Sequence, residues 1–242
     1  MNLEGYKYIY FLGIGGIGMS AIARYFNAHG KQVHGYDSCK TRLTEKLESE
    51  GILIHYRDDI NELDDSIKEA EYNKILVVYT PAIDNNNTEL IFFKRKGFVL
   101  LKRSQVLGII AKRSFTIAIS GTHGKTTTAS ILTHILKNSK IDCTAFLGGV
   151  CNNFDSNFVL AKKGNIVIVE ADEYDRSFHH LFPDIAIITS VDKDHLDIYA
   201  GKEAIDKAFQ QFSSQVKKKG VLVVQAGIKT EFNRPVEGIK LS

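Results

Sequence analysis

Phe115-Thr-Ile-Ala-Ile-Ser-Gly-Thr-His-Gly-Lys-Thr-Thr127 runs from an apolar, β-branched stretch through two glycines into a helical pattern. Branched residues favour a strand and glycine ends it, so 115–120 reads as a strand and about 125–137 as the helix that follows. Gly-Lys-Thr at such a junction is a phosphate cradle. Backbone amides of Gly121, Thr122, His123, Gly124 and Thr127 point at the phosphates, Lys125 neutralises the terminal ones, and the Thr126 hydroxyl can ligate Mg²⁺. The general phosphate-loop spacing also asks for glycine five residues before Gly124, where Ile119 stands.

The same grammar appears at the start of the chain. Tyr8-Ile-Tyr-Phe-Leu runs into Gly13-Ile-Gly-Gly-Ile-Gly18, a G-x-G-x-x-G turn between a strand and a helix over 19–29. Such glycines let the backbone approach a pyrophosphate at the positive end of the helix. Asp37 ends the next strand, where a carboxylate could bind ribose hydroxyls. Taken alone, the turn suits a nicotinamide or flavin dinucleotide, any other diphosphate-bearing nucleotide, or a bare β–α turn.

Further strands are expected at 32–36, 52–55, 74–79, 98–101, 166–170, 185–189 and 221–224, with helices at 43–50, 89–96 and 204–216. Strands alternating with helices predict an α/β protein with mostly parallel sheets. We expect a Rossmann-like parallel-sheet domain over 1–107 and a phosphate-loop α/β domain over 108–242. Lys217-Lys-Lys219 before Gly220 reads as cations favoured at a helix C-terminus.

Acidic residues gather where phosphate chemistry would need them. Glu170-Ala-Asp-Glu-Tyr-Asp175 follows an apolar strand, at the same sheet edge as the phosphate loop. Glu170 is the expected Mg²⁺ ligand beside Thr126, since Mg²⁺ takes oxygen ligands, and the rest of the run reads as a solvated loop. Asp192-Lys-Asp-His-Leu-Asp197 follows another strand, and His195 reads either as a second metal ligand or as a structural imidazole.

Composition narrows the class. Lys and Arg number 31 against 28 Asp and Glu, a formal charge of +3, which gives no case for a nucleic-acid binder. No apolar run approaches a membrane span. Cys39, Cys143 and Cys151 match no metal or redox spacing and are expected to be reduced thiols in a cytoplasmic protein.

Together, Gly13-Ile-Gly-Gly-Ile-Gly-Met-Ser20, Gly121-Thr-His-Gly-Lys-Thr-Thr-Thr128, Gly148-Gly149, Glu170-Ala-Asp-Glu173 and Asp194-His-Leu-Asp197 resemble the Mur ligase family across nearly the whole chain. His123 in the loop is similar to the branch that joins L-alanine to UDP-N-acetylmuramate in peptidoglycan synthesis, and to the branch that recycles murein tripeptide. The short segment 176–182 before Pro183 favours the alanine-adding branch. The resemblance implies an ATP- and Mg²⁺-dependent ligase working through an acyl phosphate. It implies a UDP-sugar site at Gly13, Ile14, Gly15, Gly16, Ile17, Gly18, Ser20, Asp37, Thr80 and Pro81. It implies ATP at residues 121–127, catalytic roles for Lys125, Glu170 and His195, and metal ligation by Thr126, Glu170 and His195. The first turn would then hold UDP-sugar rather than the dinucleotide of an NAD-dependent oxidoreductase. Two departures stand out. Ser190 occupies a position where the family usually has Asn, and the family's third, C-terminal domain is expected to be absent from this chain. The chain as given is therefore expected to bind without efficient ligation. Oligomeric state stays open.

Overall fold

The computed structural model describes residues 1–192 and 201–233. The chain divides into two compact units, residues 1–106 and 107–242.

The first unit alternates strands and helices: β1 (Tyr8–Leu12), α1 (Ile17–Ala28), β2 (Gln32–Tyr36), α2 (Arg42–Ser49), β3 (Leu53–His55), α3 (Asp65–Lys68), β4 (Ile75–Tyr79), α4 (Thr88–Arg95) and β5 (Val99–Lys102). α5 (Arg103–Lys112) then runs across the boundary between the units. The five strands form one parallel sheet in the order β3-β2-β1-β4-β5. All five residues of β1 are buried, as expected of a parallel strand covered on both faces. Leu12 pairs with both Tyr36 and Tyr79, so β1 ends level with its two neighbours. The chain leaves β1 for β2 on one side and returns to β4 on the other. A crevice opens at that reversal, outside the strand ends, and the first glycine turn sits there.

Helix starts in this unit are closed by side chains in three cases. Thr41 and Thr44 form a reciprocal cap on α2, while Asp64 and Asn87 cap α3 and α4. α1 begins at Gly16, which has no side chain to offer. The turn before it is pinned from below. Gly13 and Ile14 donate their amides to the Tyr36 carbonyl at 2.8 and 3.1 Å. The Ile14 side chain fills the space beside Gly35, where a Cβ would stand 2.8 Å from Ile14 Cδ1.

The second unit holds β6 (Phe115–Ser120), α6 (Lys125–Asn138), β7 (Cys143–Cys151), β8 (Ser156–Val159), β9 (Ile166–Glu170), a 3-10 segment (Tyr174–His180), β10 (Ile185–Ile188), α7 (Lys202–Ser214) and β11 (Val221–Val224). Its sheet runs β11-β10-β6-β9-β7-β8, parallel except for the edge strand β8. β6 lies between β9 and β10, so the second glycine turn also opens at a strand-order reversal. α7 buries Ile205, Ala208, Phe209 and Phe212. Phe178 stacks on Phe212 with ring centres 5.0 Å apart and meets Phe209 edge-on at 5.4 Å.

Several segments went unread in the sequence, among them α3 and the 3-10 segment Tyr174–His180. α5 lies where only a boundary was expected, and the β7–β8 hairpin lies where no strand was. Gly148 and Gly149 make β7 read as a turn, and the pairing is irregular between Phe146 and Cys151. Lys217 forms a 2.7 Å ion pair with Asp184, which also accepts the Thr116 amide at 2.8 Å. That lysine ties α7's exit to the sheet.

Candidate functional site

In the second unit, the loop after β6 is built by its neighbours. Gly121 has φ +140°, and a Cβ there would stand 2.1 Å from Thr189 Oγ1, so only glycine fits. The strand end at 189–190 braces the loop. Thr189 Oγ1 donates to the His123 carbonyl at 2.5 Å, and the Thr122 amide donates to the Ser190 carbonyl at 3.2 Å. Ser190 Oγ accepts the His123 amide at 2.8 Å and lies 2.8 Å from Thr122 Oγ1. The residue that departs from the family pattern is thus a direct support of the phosphate loop. Ser190→Ala is expected to remove the Ser190 Oγ bonds to the His123 amide and the Thr122 hydroxyl, costing about 1–2 kcal/mol. A drop of a few degrees in Tm, read by calorimetry, checks it; an unchanged Tm would contradict the bracing role.

Gly124, at φ +82°, starts α6 without a side-chain cap. Lys125 Nζ donates to the Gly121 carbonyl at 2.6 Å and to both carboxylate oxygens of Glu173 at 2.8 and 3.0 Å. Glu173 is 1% exposed and the Lys125 side chain 17%. The solvated-loop reading of the acidic run therefore fails at Glu173, which is buried against the loop lysine. Ala171 and Glu173 are both buried just past β9, a placement that a string of acids does not announce.

Thr126 Oγ1 donates to Glu170 Oε2 at 2.9 Å, and the Gly148 amide donates to Glu170 Oε1 at 2.5 Å. Burial raises the Glu170 carboxyl above its usual range. A Cβ on Gly148 would stand 2.3 Å from Glu170 Oε2, so this glycine makes room for the carboxylate. A hydroxyl and a desolvated carboxylate together are a hard-oxygen pair of the kind Mg²⁺ takes beside phosphates, and the residues fit the ion. Among the described residues no group of three or more His, Cys, Asp or Glu is arranged around one ion position. His195, with Asp194 and Asp197, lies outside the described residues. His123, Gly124, Thr126 and Thr127 are exposed at the loop mouth.

In the first unit a cavity of about 530 Å³ opens beside the first turn, lined among others by Gly13, Gly16, Asp37 and Thr80. These four sequence candidates come together there. Asp58, Ile83 and Asn87 line it too, though no motif marks them. Ile14 is buried under the turn, Gly18 backs onto Arg103, and Ser20 Oγ donates to the Ile17 carbonyl at 2.9 Å. None of these three, nor Ile17 or Pro81, is among the cavity's lining residues. Asp37 is already engaged. Its Oδ2 accepts the Gly15 amide at 2.8 Å and its Oδ1 the Cys39 amide at 3.1 Å.

Behind the cavity, Asp58 accepts the Thr88 and Glu89 amides at the start of α4. Glu89 is fully buried. Its Oε2 lies 2.5 Å from the Tyr10 hydroxyl, which lies 2.8 Å from His55 Nε2. Burial pushes the Glu89 carboxyl up to about 8 and holds the His55 imidazole below its usual value.

Comparison with known proteins matches two family models: Mur ligase family, catalytic domain, over residues 8–115, and Mur ligase middle domain, over 119–237. A UDP-N-acetylmuramate–L-alanine ligase of Parabacteroides distasonis is 47% identical over 240 residues, 99% of this chain and 51% of that protein. One from Porphyromonas gingivalis is 49% identical over 223 residues, 91% of this chain and 48% of that protein. The chain spans about half the length of these curated relatives. Among solved structures, a UDP-N-acetylmuramate–alanine ligase from Thermotoga maritima superimposes with a TM-score of 0.81 at 28% identity, covering 96% of this chain and 52% of that one. A UDP-N-acetylmuramate:L-alanyl-γ-D-glutamyl-meso-diaminopimelate ligase from Neisseria meningitides gives 0.86 at 26%, covering 96% and 78%. No helix among the described residues is long and apolar enough to cross a membrane.

Proposed function

The chain belongs to the Mur ligase family, and on that premise we propose that it carries the nucleotide-handling part of an enzyme joining L-alanine to UDP-N-acetylmuramate with ATP. The observation supporting the reading is the loop opening α6, where Thr126 meets Glu170 and Lys125 lies on Gly121 and Glu173. A cation, a hydroxyl and a half-buried carboxylate at a glycine loop suit a terminal phosphoryl group, whose transfer depends on positioning and charge neutralisation.

The chemistry would proceed by transfer of the γ-phosphoryl of ATP to the lactyl carboxylate of the sugar. The resulting acyl phosphate is attacked by the amine of L-alanine, and phosphate leaves. Lys125 would draw charge from the β- and γ-phosphates as it builds on the bridging oxygen. Mg²⁺, held by Thr126 and Glu170 and by His195 at a second position, would neutralise phosphate charge when bound. The loop amides of residues 121–127 would fix the triphosphate in line with the acceptor.

The 530 Å³ cavity at the first turn is proposed as the uridine-diphosphate pocket. Asp37 supports this over a dinucleotide cofactor, because both its oxygens already hold the turn and the segment after β2. Curated relatives at 43–49% identity named as alanine ligases favour that branch, while the solved structures of the two branches, at 28% and 26%, do not separate them. Calorimetric titration with UDP-N-acetylmuramate, UDP-N-acetylmuramate plus tripeptide, and NADH tests the reading. Binding of the UDP-sugar without NADH is expected. Binding of NADH alone would overturn the proposal.

A further inference from the structure

Lys125 has three N–H donors, and all three are used by protein partners: one on the Gly121 carbonyl and two on Glu173. The lysine that should meet a triphosphate is therefore held by a carboxylate that is itself almost wholly buried. An anion so placed competes with the nucleotide in two ways. It satisfies the cation beforehand, and it sets a like charge beside the incoming phosphates.

Resting on the ligase reading above, we propose that Glu173 is a positioning residue that holds Lys125 against the loop and yields it to the terminal phosphates of ATP. The parking geometry is specific. Glu173 opens the 3-10 segment Tyr174–His180, whose Phe178 is locked between Phe209 and Phe212 of α7. The carboxylate is thus carried on an anchored piece of backbone rather than a loose loop. Lys125, on the first turn of α6, is the partner that swings. The exchange keeps the lysine extended along the loop and ready for phosphate. It also makes nucleotide affinity depend on how many phosphates can compete with a carboxylate.

This predicts a signature that a merely structural residue would lack. In Glu173→Gln the amide oxygen still accepts from Lys125 but the charge is gone. MgATP should then bind about five- to tenfold tighter than to the unmutated chain, while AMP, which has no phosphate at Lys125, should change by less than about twofold. Calorimetric titration of this 242-residue chain with MgATP and AMP, with Tm as the folding control, reads both. Equal or weaker MgATP binding by a folded Glu173→Gln chain would overturn the parking role. So would an equal gain for AMP. If the unmutated chain bound no MgATP, the phosphate-loop assignment itself would fall, which is a different result. Should the variant not fold, hydrogen exchange on the unmutated chain decides. MgATP should speed exchange over 173–180 as Glu173 loses its cation, and unchanged or slower exchange would reject the idea.

Discussion

Replacing Lys125 with alanine is expected to lower ATP-dependent ligation by at least about a hundredfold, measured in a chain continued to the length of its curated relatives. The cation would act where phosphate charge develops. UDP-N-acetylmuramate binding, centred on the first unit, should stay unchanged. The same substitution has a second cost. It takes a cation away from Glu173, which is 1% exposed. Removing one partner of a buried ion pair costs roughly 3 kcal/mol, which for a chain of this size lowers Tm by about 10 °C. The two effects separate in a double variant. Lys125→Ala with Glu173→Gln should recover most of the lost Tm and none of the lost turnover. Ligation at an ordinary rate in Lys125→Ala would remove the basis for the site assignment.

Raising pH from 5 to 8 is expected to destabilise the first unit through Glu89. A proton inventory explains why. His55 Nδ1 lies 3.0 Å from the Arg57 carbonyl, so it carries a proton. The Tyr10 hydroxyl donates to Glu89 Oε2. With Glu89 protonated no net charge is buried, whereas ionising it places a charge on a side chain with no solvent exposure. The sign follows from linkage: the folded carboxyl titrates near 8 and the unfolded one near its ordinary value of 4.5. Between those values the folded state holds a proton that the unfolded state has released, so stability falls as pH rises, by about 1 kcal/mol per unit. The effect is fully absent below the lower value and complete above the upper one. Glu89→Gln keeps the site neutral. Its Tm curve should lose this slope, lying several degrees above the unmutated chain at pH 8. Parallel Tm curves for the two chains between pH 5 and 8 would show that Glu89 does not control the slope.

Much of the architecture was legible because parallel strands are covered on both faces. Runs such as Tyr8–Leu12 and Ile166–Glu170 are apolar throughout and end at glycine or acid, so periodicity and punctuation agree. The phosphate corner was legible for a related reason. Lys125 and Thr126 open the helix after β6 and Glu170 ends β9, placements the sheet dictates, and Thr126 and Glu170 do meet. What stayed hidden depends on contacts distant in sequence. Gly148 and Gly149 look like a turn until Glu170 is seen filling the space beside one of them. Glu173 looks solvated until the chain bends it under the loop. Asp58 and Asn87 look like ordinary loop residues until α4 needs its first amides satisfied. Ser20 failed in the opposite direction, since a helical serine within reach of its own turn spends its hydroxyl on the backbone.

Gly35 touches no ligand position, yet it sets the height of the first turn, because Ile14 rests where its side chain would be. One added methyl there would lift the turn from beneath and alter the pocket without changing a single atom on its wall. A compound lodged against Gly13 and Gly16 is therefore open to resistance arising from a strand interior, at a residue that no map of drug contacts would mark.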